Sequence, residues 1–145
     1  MNADQRTVLT GMMGAAIFSL LFVLLGTTFS NLPQPSIHSP GERIAYVLRC
    51  DFWAVFALLA GVGRVAARRF FSNQIDGTVP AEGRSLQVDR AYIQNTTEQI
   101  LLLLMGHLGL ALVLAPEDLI VIPWLVALFL IGRVTFWLGY SRSAP

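Results

Sequence analysis

The sequence predicts an all-α integral membrane protein, with four transmembrane helices forming one bundle in a single domain over residues 1–145. Hydrophobic residues make up 54% of the chain and charged residues only 13%, whereas soluble domains carry about 25% charged residues. A core of this size cannot hide that much apolar surface. The apolar runs are also too long and continuous for the alternating strands of a membrane barrel.

The first apolar segment covers residues 8–29, "VLTGMMGAAIFSLLFVLLGTTF", and contains no charged residue. As a helix it is long enough to cross about 30 Å of hydrocarbon. Only Arg6 precedes it as a basic residue, and no small-residue cleavage pattern follows, which favours a retained helix over a signal peptide. Gly11, Gly14 and Ala15 offer a small-residue face to another helix.

The second segment covers residues 44–71 and follows a proline-rich connection, "SNLPQPSIHSPGER". Arginines flank its apolar centre, and their side chains can extend toward the interface while the helix crosses the membrane. Ala57 and Gly61 form a small-x-x-x-small pair that favours close helix packing. The single cysteine, Cys50, excludes an internal disulfide, and its place beside an apolar segment favours packing over a nucleophilic role.

The third segment covers residues 88–115 and the fourth covers residues 119–140. The connection between them is only "PED", so the two helices should be antiparallel neighbours. Pro123 lies in the first turns of the fourth helix, where a missing backbone N–H is tolerated.

The arginine distribution predicts the orientation of the bundle. All ten basic residues are arginines. Arg133 lies inside the fourth segment and is not counted. Only Arg43 and Arg49 lie on one side of the predicted membrane, and seven lie on the other: Arg6, Arg64, Arg68, Arg69, Arg84, Arg90 and Arg142. The positive-inside rule therefore places both termini and the loop between residues 64 and 90 in the cytoplasm. A net charge of +1 provides no basic surface for nucleic acid.

Polar residues occur unusually close to the start of the third helix. At about 100° per residue, Arg90, Gln94, Glu98 and Asn95 lie within roughly 140° of one another and share a face. His107 lies on the opposite side, which favours a helix contact or a subunit contact. Two distant histidines and one cysteine do not make a metal site, so no metal is expected.

Arg133 occupies an arginine–aromatic face of the fourth helix with Phe136, Trp137 and Tyr140. Two interpretations of these polar groups stay open. Glu98 and Arg133 could form an interhelical clamp that only fixes packing. Alternatively, the arginines could bind the carboxylates of a small anionic ligand at the cytoplasmic interface, while Asn95 and Glu98 hold its amide or amine groups.

Three motifs, "ARRFF", "DRAYIQNTTEQ" and "GRVTFWLGYSRSA", resemble in order and spacing the MAPEG family, over roughly residues 52–144. That family of membrane-associated proteins of eicosanoid and glutathione metabolism includes microsomal glutathione transferases and leukotriene-C synthase. The resemblance implies a homotrimer that binds glutathione between neighbouring subunits. It assigns Asn95, Glu98 and Tyr140 to the glutathione site and matches Arg68 and Arg69 to the family's double arginine.

The sequence also departs from the family pattern. Arg90 stands one residue earlier than the family's arginine, and Phe136 replaces a tyrosine. The last family helix is missing, and the helix at residues 8–29 is additional, so we expect a bacterial-type member that is truncated or in which the extra helix takes the missing one's place. The expected ligand-binding set is Asn95, Glu98, Tyr140, Arg90, Arg68, Arg69 and Arg133.

The resemblance implies a glutathione-dependent transferase or peroxidase that acts on lipophilic substrates, with glutathione as cosubstrate. The alternative is a non-catalytic membrane protein that binds a lipid or a partner protein. Membrane lipid and further copies of the chain are the expected partners. The expected location is the bacterial inner membrane.

Overall fold

A computed structural model describes residues 2–33, 35–71 and 84–143, with the side chains at 3, 4, 84, 85 and 140–143 left out. This part of the chain contains helices and no strand. The helices are α1 (Ala3–Thr28), α2 (Pro40–Asp51), α3 (Val55–Phe71), α4 (Arg84–Val113) and α5 (Val121–Ser143). Short 3₁₀ segments cover Phe52–Ala54, between α2 and α3, and Pro116–Ile120, before α5.

Four stretches are long and apolar enough to cross a membrane: Gln5–Thr28, Pro40–Phe71, Leu86–Val113 and Pro116–Gly139. The predicted all-α membrane protein with four spans is therefore confirmed. The second span starts at Pro40, four residues before the predicted position, because Ser39 and Glu42 form a capping box that begins α2. Asn2 and Gln5 form the same kind of box at the start of α1.

The core lies between α2, the end of α4 and the start of α5, where Val47, Ala111, Leu119 and Ile122 are buried. Arg43 closes the C-terminal end of α4, since its Nη1 donates to the carbonyl oxygens of Ala111 at 3.2 Å and Leu114 at 2.7 Å. A cation there also complements the negative end of the helix dipole. This contact helps fix α2 against α4.

The C-terminal end of helix α1 packs against α5 at Trp124. A Cβ at Gly26 would lie 2.5 Å from the Trp124 ring, so only glycine permits this approach. Gly11 and Gly14, the predicted small-residue face, have no atom within 4 Å of such a Cβ. The hydrophobic side chains of α1 are largely exposed, as in Met12 at 65% and Leu20 at 63%, which fits a lipid-facing helix.

Candidate functional site

A buried carboxylate on α4, Asp89, faces two arginines at the end of α3. Asp89 is 3% exposed. Its Oδ1 lies 3.0 Å from Nε of Arg64, and its Oδ2 lies 2.6 Å from Nε of Arg68. Although both distances are short, Arg64 Nε and Asp89 Oδ2 lack the alignment of a directional hydrogen bond, so these are ion pairs. We call these three residues the arginine cluster.

Helix geometry explains why the two arginines meet one carboxylate. Arg64 and Arg68 are four residues apart, so they lie one above the other on the same face of α3. Tyr92 brings α4 close to that face, because its hydroxyl donates to the Ala57 carbonyl at 3.2 Å. A Cβ at Gly61 would lie 2.9 Å from the Tyr92 ring. The Tyr92 side chain therefore packs against Ala57 and Gly61, the small-residue pair predicted on this helix.

The arginine cluster extends to α5 through an aromatic contact. The Arg64 guanidinium lies 4.8 Å from the centre of the Trp137 ring, within the range of a cation–π interaction. A cavity of about 30 Å³ lies between the three helices and is lined by Gly61, Arg64, Asp89, Tyr92 and Trp137, among others. Each arginine side chain keeps about a third of its surface exposed, at 32% and 35%. With two cations and one anion, the cluster carries a net positive charge at the protein surface.

Arg133 contacts Asn95 rather than Glu98. Its Nη1 donates to the Asn95 side-chain oxygen at 2.6 Å, and its guanidinium lies 5.5 Å from the Phe129 ring and 5.3 Å from the Phe136 ring. Arg133 Nε is buried and has no hydrogen-bond partner among the described residues. The α4–α5 contact predicted for Arg133 is therefore present, but with a neutral amide in place of the carboxylate.

The polar face predicted on α4 divides in two. Arg90, Gln94 and Glu98 are exposed, and Gln94 donates to Glu98 Oε1 at 3.2 Å. Asn95 is half-buried and turns toward α5. One chain thus brings Asn95 to Arg133 and Arg68 to Asp89, while Arg90 and Glu98 point away from the bundle.

Two further predicted ligand residues, Arg69 and Tyr140, lie near the C-terminal ends of α3 and α5. Arg69 follows Arg68 at the end of α3 and is half-buried. The backbone of Tyr140 belongs to α5, but its side chain lies outside the described residues, as does that of Arg142. The described part of the chain contains no group of acidic, histidine and cysteine side chains that could hold a metal.

The sequence interpretation missed Asp89 and Tyr92, although a signal was present. Asp89, Tyr92, Thr96 and His107 follow helical spacing on one face, and all four are buried. This face lies on the side of α4 opposite Glu98. The sequence analysis had already placed His107 on that side, at 100° per residue. His107 therefore marked the inner face of α4.

At the other end of that inner face, His107 pairs with Asp51, the last residue of α2. Its Nδ1 lies 2.6 Å from Asp51 Oδ1, and the two residues are 4% and 7% exposed. Asp51 Oδ2 is buried without a hydrogen-bond partner among the described residues. His107 thus makes a contact between helices of the same chain, one of the two roles that the sequence predicted for it. Cys50, the neighbour of Asp51, packs against the core as predicted.

The chain is similar to known membrane proteins over most of its length. The model of the MAPEG family matches residues 45–145, somewhat more than the predicted 52–144. The chain is 25% identical to transmembrane protein 79 of Bos taurus over 136 residues, and 25% identical to that of Mus musculus over 133 residues. The matches cover 88% of this chain but 32% and 33% of those relatives, so the chain spans about a third of their length. No solved structure matches the chain.

Proposed function

The chain belongs to the MAPEG family, and we propose that its arginine cluster binds the carboxylates of glutathione for transfer or peroxide chemistry on lipophilic substrates. The observation that carries this proposal is that one buried carboxylate, Asp89, faces the Nε atoms of both Arg64 and Arg68. Asp89 fixes the orientation of both guanidinium groups and neutralises only one of them. Oriented guanidinium groups are suited to bidentate carboxylate recognition.

Two further predicted ligand residues, Arg90 and Glu98, support a site that neighbouring subunits would share. With Gln94 between them, they are exposed on the outer face of α4, where a second copy in a homotrimer would meet them. Glutathione held between this face and the arginine cluster would lie in a positive field. That field would stabilise the thiolate over the thiol and so provide the reactive nucleophile. The membrane would supply the lipophilic second substrate from the side.

We place this site on the cytoplasmic side of a bacterial inner membrane, together with both chain termini. This placement is supported by the seven arginines on the side of the termini against two on the other.

A non-catalytic role in binding a lipid or a partner protein is the second candidate. It is favoured by one contact, since Asn95 already accepts a hydrogen bond from Arg133 at 2.6 Å and would have to release it to bind a ligand. Loss of a hydrogen bond to a charged group costs about 1.5–3 kcal/mol.

Isothermal titration of the full chain, purified in detergent, with glutathione separates the two candidates. We expect heat of binding in the wild type and an affinity at least about tenfold lower in Arg68→Gln, which removes one charge-assisted contact. Arg6→Gln is the matched control, because Arg6 is exposed on α1 outside the cluster. Glu98→Gln should weaken binding more than Arg142→Ala.

The absence of binding at millimolar glutathione, in protein that retains its helical circular dichroism, would exclude the glutathione site and favour the non-catalytic role. Where binding occurs, an increase in thiolate ultraviolet absorbance on adding protein would indicate activation of the thiol. Binding without that increase would indicate a glutathione-binding protein that lacks the chemistry.

A further inference from the structure

A second cationic site lies away from the arginine cluster, in a groove between α2 and α5. The groove has a volume of about 550 Å³, within the range of small-molecule sites. Tyr46, Arg49 and Trp53 line one side, and Val126 and Leu130 line the other. Apart from Arg49 and the polar tips of Tyr46 and Trp53, these walls are apolar.

Arg49 is unusual because of its depth in the membrane. The span Pro40–Phe71 has 32 residues, about 48 Å of helix, which exceeds the roughly 30 Å of hydrocarbon. If the span is centred on the bilayer, Arg49 lies about 10 Å from the midplane, inside the hydrocarbon boundary. A charged side chain at that depth is costly unless it has a partner or reaches the headgroups.

Arg49 has no such partner in the part of the chain that the structure describes. It is exposed, and it forms no hydrogen bond or ion pair with any residue in the described part of the chain. The nearest buried carboxylate in sequence, Asp51, is engaged by His107 instead. No described side chain therefore supplies a counter-charge at the mouth of the groove, and an anionic ligand from the bilayer can provide one.

We propose that this groove binds an anionic phospholipid of the surrounding bilayer, with its phosphate on Arg49 and one acyl chain along α5. Charge complementarity identifies the headgroup, because the long Arg49 side chain can extend from inside the hydrocarbon toward the headgroups, where an arginine attracts anionic lipid. The apolar wall from Pro123 to Leu130 leads from Arg49 toward the middle of the membrane and accepts the chain. The proposed lipid site does not depend on glutathione binding. It is formed by α2 and the first half of α5, whereas the arginine cluster lies on α3 and α4.

Native mass spectrometry of the full chain tests the proposal. The protein is transferred from mixed micelles that contain equal amounts of phosphatidylglycerol and phosphatidylcholine. We expect the wild type to retain phosphatidylglycerol about fivefold over phosphatidylcholine, from about 1 kcal/mol per arginine. Arg49→Gln should abolish this preference, and Arg6→Gln, which removes an exposed arginine on α1, should keep it.

A second variant tests the groove with the charge intact. Ala127→Phe fills the groove wall and should reduce retention of both lipids, although Arg49 remains. As a folding check, each variant must retain the wild-type helical circular dichroism. If a variant fails this check, the wild type is tested by fluorescence instead, and brominated phosphatidylglycerol should quench its tryptophan emission more than brominated phosphatidylcholine does.

Three results would overturn the proposal. Equal retention of the two lipids by the wild type would remove the charge argument. Displacement of phosphatidylglycerol by an equal amount of oleate would identify a free fatty acid as the occupant. A change of oligomeric state in Arg49→Gln, without a change of lipid preference, would indicate that a second copy of the chain covers the groove.

Discussion

The inner face of α4 carries a buried polar group near each end, and the two are built differently. Asp89 and His107 are 18 residues apart, five complete turns or about 27 Å. Asp89 faces two arginines that are each about a third exposed, whereas His107 faces a single carboxylate and both partners are almost fully buried. At Asp89, two arginines share one carboxylate, so one positive charge is left over near the surface. At His107, one imidazole meets one carboxylate, and neither is open to the surface.

This difference separates a group that can bind a ligand from one that only holds helices together. An open cluster can exchange partners, because its arginines can turn toward water or an incoming anion. A closed pair in the membrane cannot, because separating it leaves a charge or a polar atom without a partner. We therefore expect mutations at the two ends to differ both in size and in kind.

The closed pair should give the largest loss of stability. His107→Ala leaves the Asp51 carboxylate buried without its partner, and we expect the free energy of unfolding to fall by about 3–5 kcal/mol. Unfolding in mixed micelles with increasing dodecyl sulfate, followed by circular dichroism, measures the change. The double variant Asp51→Leu with His107→Leu should recover most of the loss, since a buried polar pair can often be replaced by apolar side chains. An equal loss in the double variant would contradict this account.

The open cluster should respond more weakly. Asp89→Asn keeps the shape but removes the charge between Arg64 and Arg68, and we expect a loss of about 2 kcal/mol. The loss is smaller than at His107 because the partly exposed arginines can regain hydration. Glu98→Gln is the control, since Glu98 is exposed and its change should stay within about 0.5 kcal/mol. If the two variants were equally stable in the same unfolding assay, Asp89 would not organise the cluster.

The smallest expected effect concerns the helix contact beneath the open cluster. Gly61→Ala places a Cβ 2.9 Å from the Tyr92 ring, and the resulting crowding should cost about 1 kcal/mol. Gly63→Ala on the same helix meets nothing within 4 Å and should be neutral or slightly stabilising, because alanine favours helix. Thermal unfolding of the two variants in one detergent gives the comparison. A lower midpoint for Gly63→Ala than for Gly61→Ala would contradict the described contact.

Hydropathy predicted the membrane class and the four spans because the bilayer imposes a length and an apolar composition on each helix. It could not predict which side of α4 faces the bundle, since that depends on the approach of α3. The sequence analysis assigned function to the side of α4 that carries Arg90, Gln94, Asn95 and Glu98 near the start of the helix. The other side, with Asp89 and Tyr92, makes the contacts to α3.

The partner of Arg133 shows the same limit. Sequence spacing placed Arg133 on the helix next to α4 and therefore near both Asn95 and Glu98. On α4 these two side chains are three residues apart and point in directions that differ by about 60°. In the folded chain Arg133 contacts Asn95, and the spacing along either helix alone does not determine which of the two side chains faces α5.

The short 3₁₀ segment Phe52–Ala54 affects the directions in which Asp51 and Arg68 point. In an uninterrupted α-helix, Arg68 would be rotated by about 260° from Asp51. Three residues wound at about 120° each instead of 100° advance it by roughly a further 60°, to about 320°, which brings both residues toward the same side. The 3₁₀ segment thus changes the rotation of α3 relative to α2. As a result, Asp51 on α2 and Arg68 on α3 can both reach the inner face of α4, at His107 and Asp89 respectively. Inserting or deleting one residue within the 3₁₀ segment would turn Arg64 and Arg68 by about 100° from Asp89 while leaving Asp51 in place.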